Sequence, residues 1–242
     1  MIECSIMLAY IPQNWCILYL HGVSNTRGYD HRVGLYKVLL ACGYKVLAVD
    51  YRGFGDSSTD NAVTEDTVVE DARAAIAWIR DRLNHSEQLV VWGHSLGAAI
   101  ACRAVAEEHI ENVNESNIAI LMLESPFNNM QDELLDALFT SKGRLSKAIG
   151  KYLPIGRRLK KAKMLFQSDS WIREVACAAL IIHAEDDDTI NIDLAGKLFK
   201  AAKDIGKNDI DMITVDGSYG LGHNDIFKYH RLPGVLRNYC KI

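Results

Sequence analysis

The sequence predicts an α/β domain built on a mostly parallel, doubly wound sheet. Three observations carry this prediction. Six short apolar runs are continuous rather than alternating, as strands buried on both faces require. Segments with helical spacing separate them, which is the order of parallel crossover units. One pentapeptide, Gly93-His94-Ser95-Leu96-Gly97, joins such a run to a helical segment. The 242 residues are 49% hydrophobic, ample for the core of one domain or of a domain with an insertion.

The first run, 16–20, ends in His21-Gly22-Val23-Ser24-Asn25, a glycine-containing turn. The second is 45–49. A helix follows with Ala72, Ala75, Ile76, Ile79 and Leu83 on one face, and Thr67 and Glu70 are placed to form a capping box at its start. The third run, 88–92, leads into the pentapeptide, and Ala98-Ala99-Ile100-Ala101-Cys102 opens a buried helix. A serine on such a strand-to-helix turn projects its hydroxyl at the carboxyl end of a sheet, with a helix N-terminus behind it. The fourth run is 118–123. Residues 127–172 then carry no strand pattern, only helix-like sequence broken at Pro154-Ile155-Gly156. This predicts a helical cap inserted at 127–172 into a core formed by 1–126 and 173–242. The runs 179–183 and 211–215 complete the sheet.

Charge and cysteine usage narrow the function classes. The net charge of −4 gives no global footprint for nucleic acid. One segment departs from it: 141–168 holds nine Lys and Arg and no Asp or Glu, interleaved with Leu145, Ile149, Tyr152 and Leu153 at helical spacing. The six cysteines are scattered without a Cys-x-x-Cys pair, so they read as small buried hydrophobes rather than a disulfide frame or zinc site. No apolar run is long enough to span a bilayer, and no secretory signal is visible at Met1. No cofactor or metal is expected.

A serine nucleophile needs a base to take its proton and an acid to orient that base. Both are available after Ser95. The run 179–183 leads into Glu185-Asp186-Asp187-Asp188, where Asp186, Asp187 and Asp188 are the candidate acids. The alternative of a metal site is weak, since carboxylates adjacent in sequence rarely converge on one ion. The run 211–215 leads through a glycine-rich loop to His223, the candidate base. His230 is the rival, assigned to a final helix, and His31, His85 and His109 read as exposed. An oxyanion hole needs two donors. The Leu96 amide at the helix start is one, and the Val23 amide in the turn after the first strand is the other.

Four motifs together resemble the serine α/β-hydrolases: Leu18-Tyr19-Leu20-His21-Gly22, Asp50-Tyr51-Arg52-Gly53-Phe54-Gly55-Asp56-Ser57, the Ser95 pentapeptide, and His183-Ala184-Glu185-Asp186-Asp187. Three stretches are similar to one branch, the lysophosphatidylserine and monoacylglycerol lipases of the α/β-hydrolase-domain group. They are the one running from Thr26 through Asp30-His31-Arg32 to Leu39, Trp92 with the pentapeptide, and Leu123-Glu124-Ser125-Pro126-Phe127. The resemblance implies a membrane-associated hydrolase of lysophospholipids and monoacylglycerols, at the endoplasmic reticulum membrane. It implies Ser95 as nucleophile, Asp187 as acid, four residues after His183, and His223 as base. Two features depart from the family pattern. Prolines expected near Asp188 and Asn191 are absent, and the chain begins almost at the oxyanion strand, without the family's membrane anchor and N-terminal strands.

The expected activity is therefore metal-free hydrolysis of single-chain acyl esters through an acyl-serine intermediate. The substrate is expected to be an acyl lipid, with peripheral contact to anionic membrane through the basic cap and no nucleic acid partner. A protein depalmitoylase would use the same residues on a thioester. A catalytically inactive binding or scaffold relative would fit the two departures.

Overall fold

The computed structural model describes residues 4–7, 14–58, 62–112, 117–139 and 164–240. Seven strands form one sheet: β1 Cys4–Met7, β2 Trp15–Leu20, β3 Lys45–Val49, β4 Gln88–His94, β5 Ile118–Glu124, β6 Ala178–Ala184 and β7 Ile210–Val215. Their order is β1-β3-β2-β4-β5-β6-β7. From β3 to β7 all pairing is parallel, and β1 adds an antiparallel edge to β3. The six expected strands are present, extended by at most two residues at either end. The seventh, β1, lies ahead of the first expected strand, and its four residues are too few for a periodic signal.

Side chains alternate across each strand, so every continuous apolar run divides between two cores. Leu18, Leu20, Val91, Leu121, Leu123 and Ile181 face one layer of helices: α2 Glu65–Arg80, α3 Leu96–Glu111 and α6 Ile192–Lys203. Ile17, Tyr19, Val90, Trp92, Met122 and Ile182 face the other: α1 Asp30–Ala41 and α7 Leu232–Tyr239. Strand order reverses at β2, whose neighbours are β3 on one side and β4 on the other. In an open α/β sheet such a reversal leaves a crevice at the carboxyl ends of the two central strands. Here it lies between the loop after β2 and the turn after β4.

The α2 cap differs from expectation. Thr64 is the N-cap: its hydroxyl accepts the Thr67 N–H at 3.2 Å, and Thr67 Oγ1 accepts the Thr64 N–H at 2.9 Å. Thr67 is thus the third helical residue, not the cap, and Glu65 falls in the first turn. Buried there, Glu65 accepts Arg103 at 3.0 Å on one oxygen. On the other it accepts the amides of Leu165 and Phe166 at 2.7 and 2.8 Å.

The ends of the 127–172 segment are tied down by further polar contacts. Helix α4 spans Met130–Phe139 and α5 Ser168–Trp171. The Met130 N–H donates to Leu165 O at 3.0 Å, and Asn129 Nδ2 to Asp169 at 2.9 Å. All nine basic residues of 141–168 lie within 140–163, outside the described residues. Cys16, Cys102 and Cys240 are buried, Cys42 and Cys177 are half-buried, and these five are unbridged. Among the described residues no helix is long and apolar enough to cross a membrane.

Small residues set the distance between α3 and the sheet. A Cβ on Gly97 would lie 2.0 Å from the Leu20 carbonyl oxygen, and one on Gly93 2.2 Å from Gly97 O. Backbone occupies those positions and cannot yield. Gly97→Ala is therefore expected to cost at least about 3 kcal/mol or to abolish folding. Gly196→Ala, in α6 with open space around the new methyl, is expected to be neutral or to stabilise by up to about 1 kcal/mol. Urea unfolding of the two variants checks the pair, and equal midpoints would contradict the contact.

Candidate active site

β4 ends at His94 and α3 begins at Leu96, so Ser95 alone makes the turn between them. Its backbone has φ 54 and ψ −119, a strained conformation costing on the order of 1–3 kcal/mol. Neighbouring backbone holds it there: its N–H donates to Glu124 O and its carbonyl accepts the Ala98 N–H, both at 2.9 Å. Ser95 is buried. A Cβ on Gly22 would lie 3.3 Å from Ser95 Cβ and 3.3 Å from His94 Nδ1, so the loop after β2 touches the serine turn. Leu96 is the first helical residue, and its amide has no partner within the helix. Val23 follows on that loop and is 67% exposed.

The acidic run after β6 divides its carboxylates among different partners. Glu185 accepts the Gly217 N–H at 3.1 Å, and Asp186 accepts the Gly222 N–H at 3.0 Å. Asp188 takes only the exposed Thr189 hydroxyl, at 3.3 Å. Asp187 is the one that meets a histidine at the site. Its Oδ2 accepts His223 Nδ1–H at 2.7 Å and faces His183 Nε2 at 3.1 Å. Its Oδ1 accepts the amides of Thr189 and Ile190, both at 2.9 Å. The Asp187 side chain is 0% exposed. Burial alone would raise its pKa, but the bonds from His183 and His223 outweigh it and hold the carboxyl well below the ordinary carboxylate range.

His223 lies on the loop between β7 and α7, and two glycines just before it, Gly220 (φ 63) and Gly222 (φ 52), supply the loop's left-handed bends. With Nδ1 donating to Asp187, Nε2 is the ring nitrogen left to accept a proton. His94 ties the loop to the serine turn: its Nε2–H donates to the His223 carbonyl at 2.9 Å while its backbone leads into Ser95. The structure thus gathers Ser95, Leu96, the Gly22–Val23 loop, His223 and Asp187 at the carboxyl end of the sheet. His230 is not among them. It is exposed just ahead of α7, not inside it, and packs on Tyr219 and Tyr229. His31 and His109 are half-buried rather than exposed. His31 packs edge-on against His94 at 5.6 Å, and His109 Nδ1 accepts the Ala176 N–H at 3.0 Å.

Several groups at the site carried no signal in their spacing. Glu124, at the end of β5, is buried, and its Oε2 accepts the Trp92 indole N–H at 2.8 Å. Burial pushes its pKa up to about 7, against the lowering pull of that bond and of His223. His183, four residues before Asp187, is a second such group. In the structure its Nε2–H is shared between Asp187 and Ile190 O at 3.0 Å. Burial also lowers the pKa of His94 well below the ordinary range and that of His31 to about 4, with Arg32 adding to the His31 shift. Among the described residues, no group of three or more His, Cys, Asp or Glu side chains is placed to hold a metal ion.

The sheet, its crevice and this corner define an α/β-hydrolase. The profile of the family described as serine aminopeptidase S33 matches residues 12–208, and the chain belongs to that hydrolase family. The lysophosphatidylserine lipase ABHD12 of Danio rerio is 34% identical over 93% of this chain and 58% of its own length. That of Bos taurus is 34% identical over 92% and 55%. Protein ABHD12B of Homo sapiens is 32% identical over 93% and 60%. The chain therefore spans a little over half the length of these relatives. Among solved structures, Est1E of Butyrivibrio proteoclasticus with bound ferulic acid superposes with a TM-score of 0.70 at 16% identity, covering 99% of this chain and 94% of that one. The Pyrococcus furiosus esterase Pf2001 gives 0.69 at 18%, covering 94% and 82%. At these identities the likeness is one of fold.

Glu124 makes stability depend on pH. Its folded pKa is raised from 4.5 to about 7, so its contribution is fully present below about pH 4.5 and is lost as pH rises through about 7. A shift of this size is on the order of 3 kcal/mol. Asp187 has the opposite sign, but its contribution is lost only at acid pH, below this window. The lowered pKa values of His94 and His31 act in the opposite direction up to about pH 6.5, so the Glu124 contribution is read as a difference: Glu124→Gln, which can still accept from Trp92, is expected to gain stability relative to wild type on going from pH 5 to pH 8. Urea midpoints at the two pH values check this, and parallel profiles for variant and wild type would contradict it.

Proposed function

We infer that the chain is a serine hydrolase of carboxylic esters whose substrates are single-chain acyl lipids, lysophospholipids or monoacylglycerols. The observation that carries the reading is the His223 Nδ1–Asp187 bond at 2.7 Å, which leaves Nε2 as the proton acceptor on a loop that His94 ties to the strained serine turn. In the proposed reaction Ser95 Oγ attacks the ester carbonyl as His223 Nε2 takes its proton. Asp187 keeps the imidazole in the productive tautomer and stabilises the imidazolium. The amides of Leu96 and Val23 hold the oxyanion. His223 then returns the proton to the leaving alcohol, and water, activated by the same histidine, releases the fatty acid.

The names of the ABHD12 relatives support the lipid class of substrate. So does the exposure of apolar side chains on elements that follow the carboxyl ends of the strands: Val23 after β2, Leu135 on α4 after β5, and Tyr219 after β7. We take 127–172 as a helical cap over this end and 1–126 with 173–242 as the catalytic core. The basic stretch of the cap is proposed to touch anionic membrane as a peripheral contact. Basic residues at such a surface contribute about 1 kcal/mol each, and salt screens them.

Ser95→Ala is expected to lower lysolipid hydrolysis by several orders of magnitude. Asp187→Asn should lose about 10⁴-fold in kcat, while Asp188→Asn stays near wild type. An inactive but folded Asp188→Asn beside an active Asp187→Asn would contradict the assignment. Turnover of acylated peptides in preference to lysolipids would move the reading to a depalmitoylase. Folded wild-type protein that turns over neither would make it a scaffold.

The membrane contact has its own test. Reversing the charges at Arg157, Arg158, Lys160 and Lys161 is expected to weaken co-sedimentation with phosphatidylserine vesicles at low salt, and to leave the rate on a small soluble ester unchanged. Equal sedimentation of variant and wild type would contradict the contact.

A further inference from the structure

Arg32 stands in the first turn of α1 and is only 1% exposed, among the largest fully buried side chains of the protein. A cation at a helix N-terminus is opposed by the helix dipole. Among the described residues no carboxylate lies within ion-pair distance of it. Its bonds go instead to three carbonyl oxygens of one loop. Nη1–H donates to Thr26 O at 2.6 Å, and Nη2–H donates to Ser24 O at 2.5 Å and, more weakly, to Gly22 O at 3.4 Å. Nε has no partner, so all the hydrogen bonding of the guanidinium is directed at the loop after β2.

The three carbonyls belong to alternate residues. In a trans peptide the C=O of one residue points opposite to the N–H of the next. Gathering the carbonyls of residues 22, 24 and 26 around the guanidinium therefore turns the amides of Val23, Asn25 and Arg27 away from it. Asn25 takes φ 60 as the loop bends around the charge. The peptide between Thr26 and Arg27 demonstrates the arrangement at both ends: Thr26 O is on Arg32, and the Arg27 N–H is on Asp50 Oδ1 at 2.6 Å. The peptide between Gly22 and Val23 is the one that touches the serine turn. Its carbonyl is held by Arg32 and, at 2.7 Å, by the His21 ring.

We propose that Arg32 is a positioning residue of the oxyanion hole: by gathering the carbonyls of the whole loop it orients, together with the His21 ring, the Gly22–Val23 peptide so that the Val23 N–H faces the negative oxygen that forms when Ser95 attacks. A positive charge on the carbonyl side of a peptide also polarises it and strengthens the N–H as a donor. This proposal rests on the hydrolase reading above. It goes beyond that reading by naming the group that aims the donor, a residue that never touches substrate.

The test uses the whole chain with Arg32→Lys and Arg32→Gln, soluble p-nitrophenyl esters, and two inhibitors. One is an alkyl trifluoromethyl ketone, whose adduct with serine places an oxyanion in the hole. The other is an ether analogue of the substrate that forms no adduct. Loss of one oxyanion donor is expected to lower kcat by about 10²–10³-fold with KM within about threefold. Affinity for the ketone should fall in parallel with kcat/KM, and affinity for the ether should not change. Ketone affinity that stays at the wild-type value, or ketone and ether affinities that fall together, would overturn the proposal. If neither variant folds, the wild-type chain carries the test by nuclear magnetic resonance. The Val23 amide and the Arg32 guanidinium protons should both shift when the ketone adduct forms, and unmoved Arg32 protons would overturn the proposal. Wild-type protein that neither hydrolyses the esters nor binds the ketone would instead refute the hydrolase reading itself.

Discussion

With no side chain at Gly97, the Leu20 carbonyl can approach the first turn of α3 to a distance that any Cβ would close. That contact joins the ends of β2 and β4, the two strands between which sheet order reverses. Everything at the candidate site hangs from this junction. It sets the loop after β2 against Ser95 and places the start of α3 behind the serine. The strain at Ser95 is maintained because the strands on both sides are buried in two cores and cannot relax. A looser junction would let the serine turn fall into an ordinary conformation and separate it from the Gly22–Val23 peptide.

A second set of constraints fixes the other half of the site. Asp187 accepts the amides of Thr189 and Ile190, the His183 ring and the His223 ring. Three of those donors come from its own strand end or loop, so the carboxylate is already in place when it meets His223. Glu185 and Asp186 bind the far loop at Gly217 and Gly222, and His94 binds it at the His223 carbonyl. The histidine loop is thus anchored at several points by backbone bonds, and the imidazole orientation follows from them. The prolines that the family resemblance leads one to expect in the acid loop are replaced, in effect, by this bonding around Asp187.

The strands were legible because burial on both faces leaves continuous apolar runs, and the serine turn because its glycines and flanking runs are local. His223 was legible through the glycines that deliver it. The choice among Asp186, Asp187 and Asp188 was not, since three adjacent carboxylates have the same chemistry and only the fold separates their partners. β1 was missed for its shortness. The α2 cap was misplaced because Thr64 and Thr67 can each start a helix, and the choice is made by the reciprocal bonds between them. Glu124 and Arg32 were invisible as site groups for a different reason. Their contacts run to an indole, to backbone carbonyls and to residues distant in the chain, and such contacts leave no spacing to read.

The central claim is that one serine, held by the β4–α3 junction and served by His223 and Asp187, is the nucleophile. The most direct measurement is peptide mapping by tandem mass spectrometry after reaction with an alkyl fluorophosphonate. The account predicts a single adduct on the peptide containing Ser95, formed much more slowly when His223 is replaced by Ala. An adduct on another serine, or none on folded wild-type protein, would contradict it.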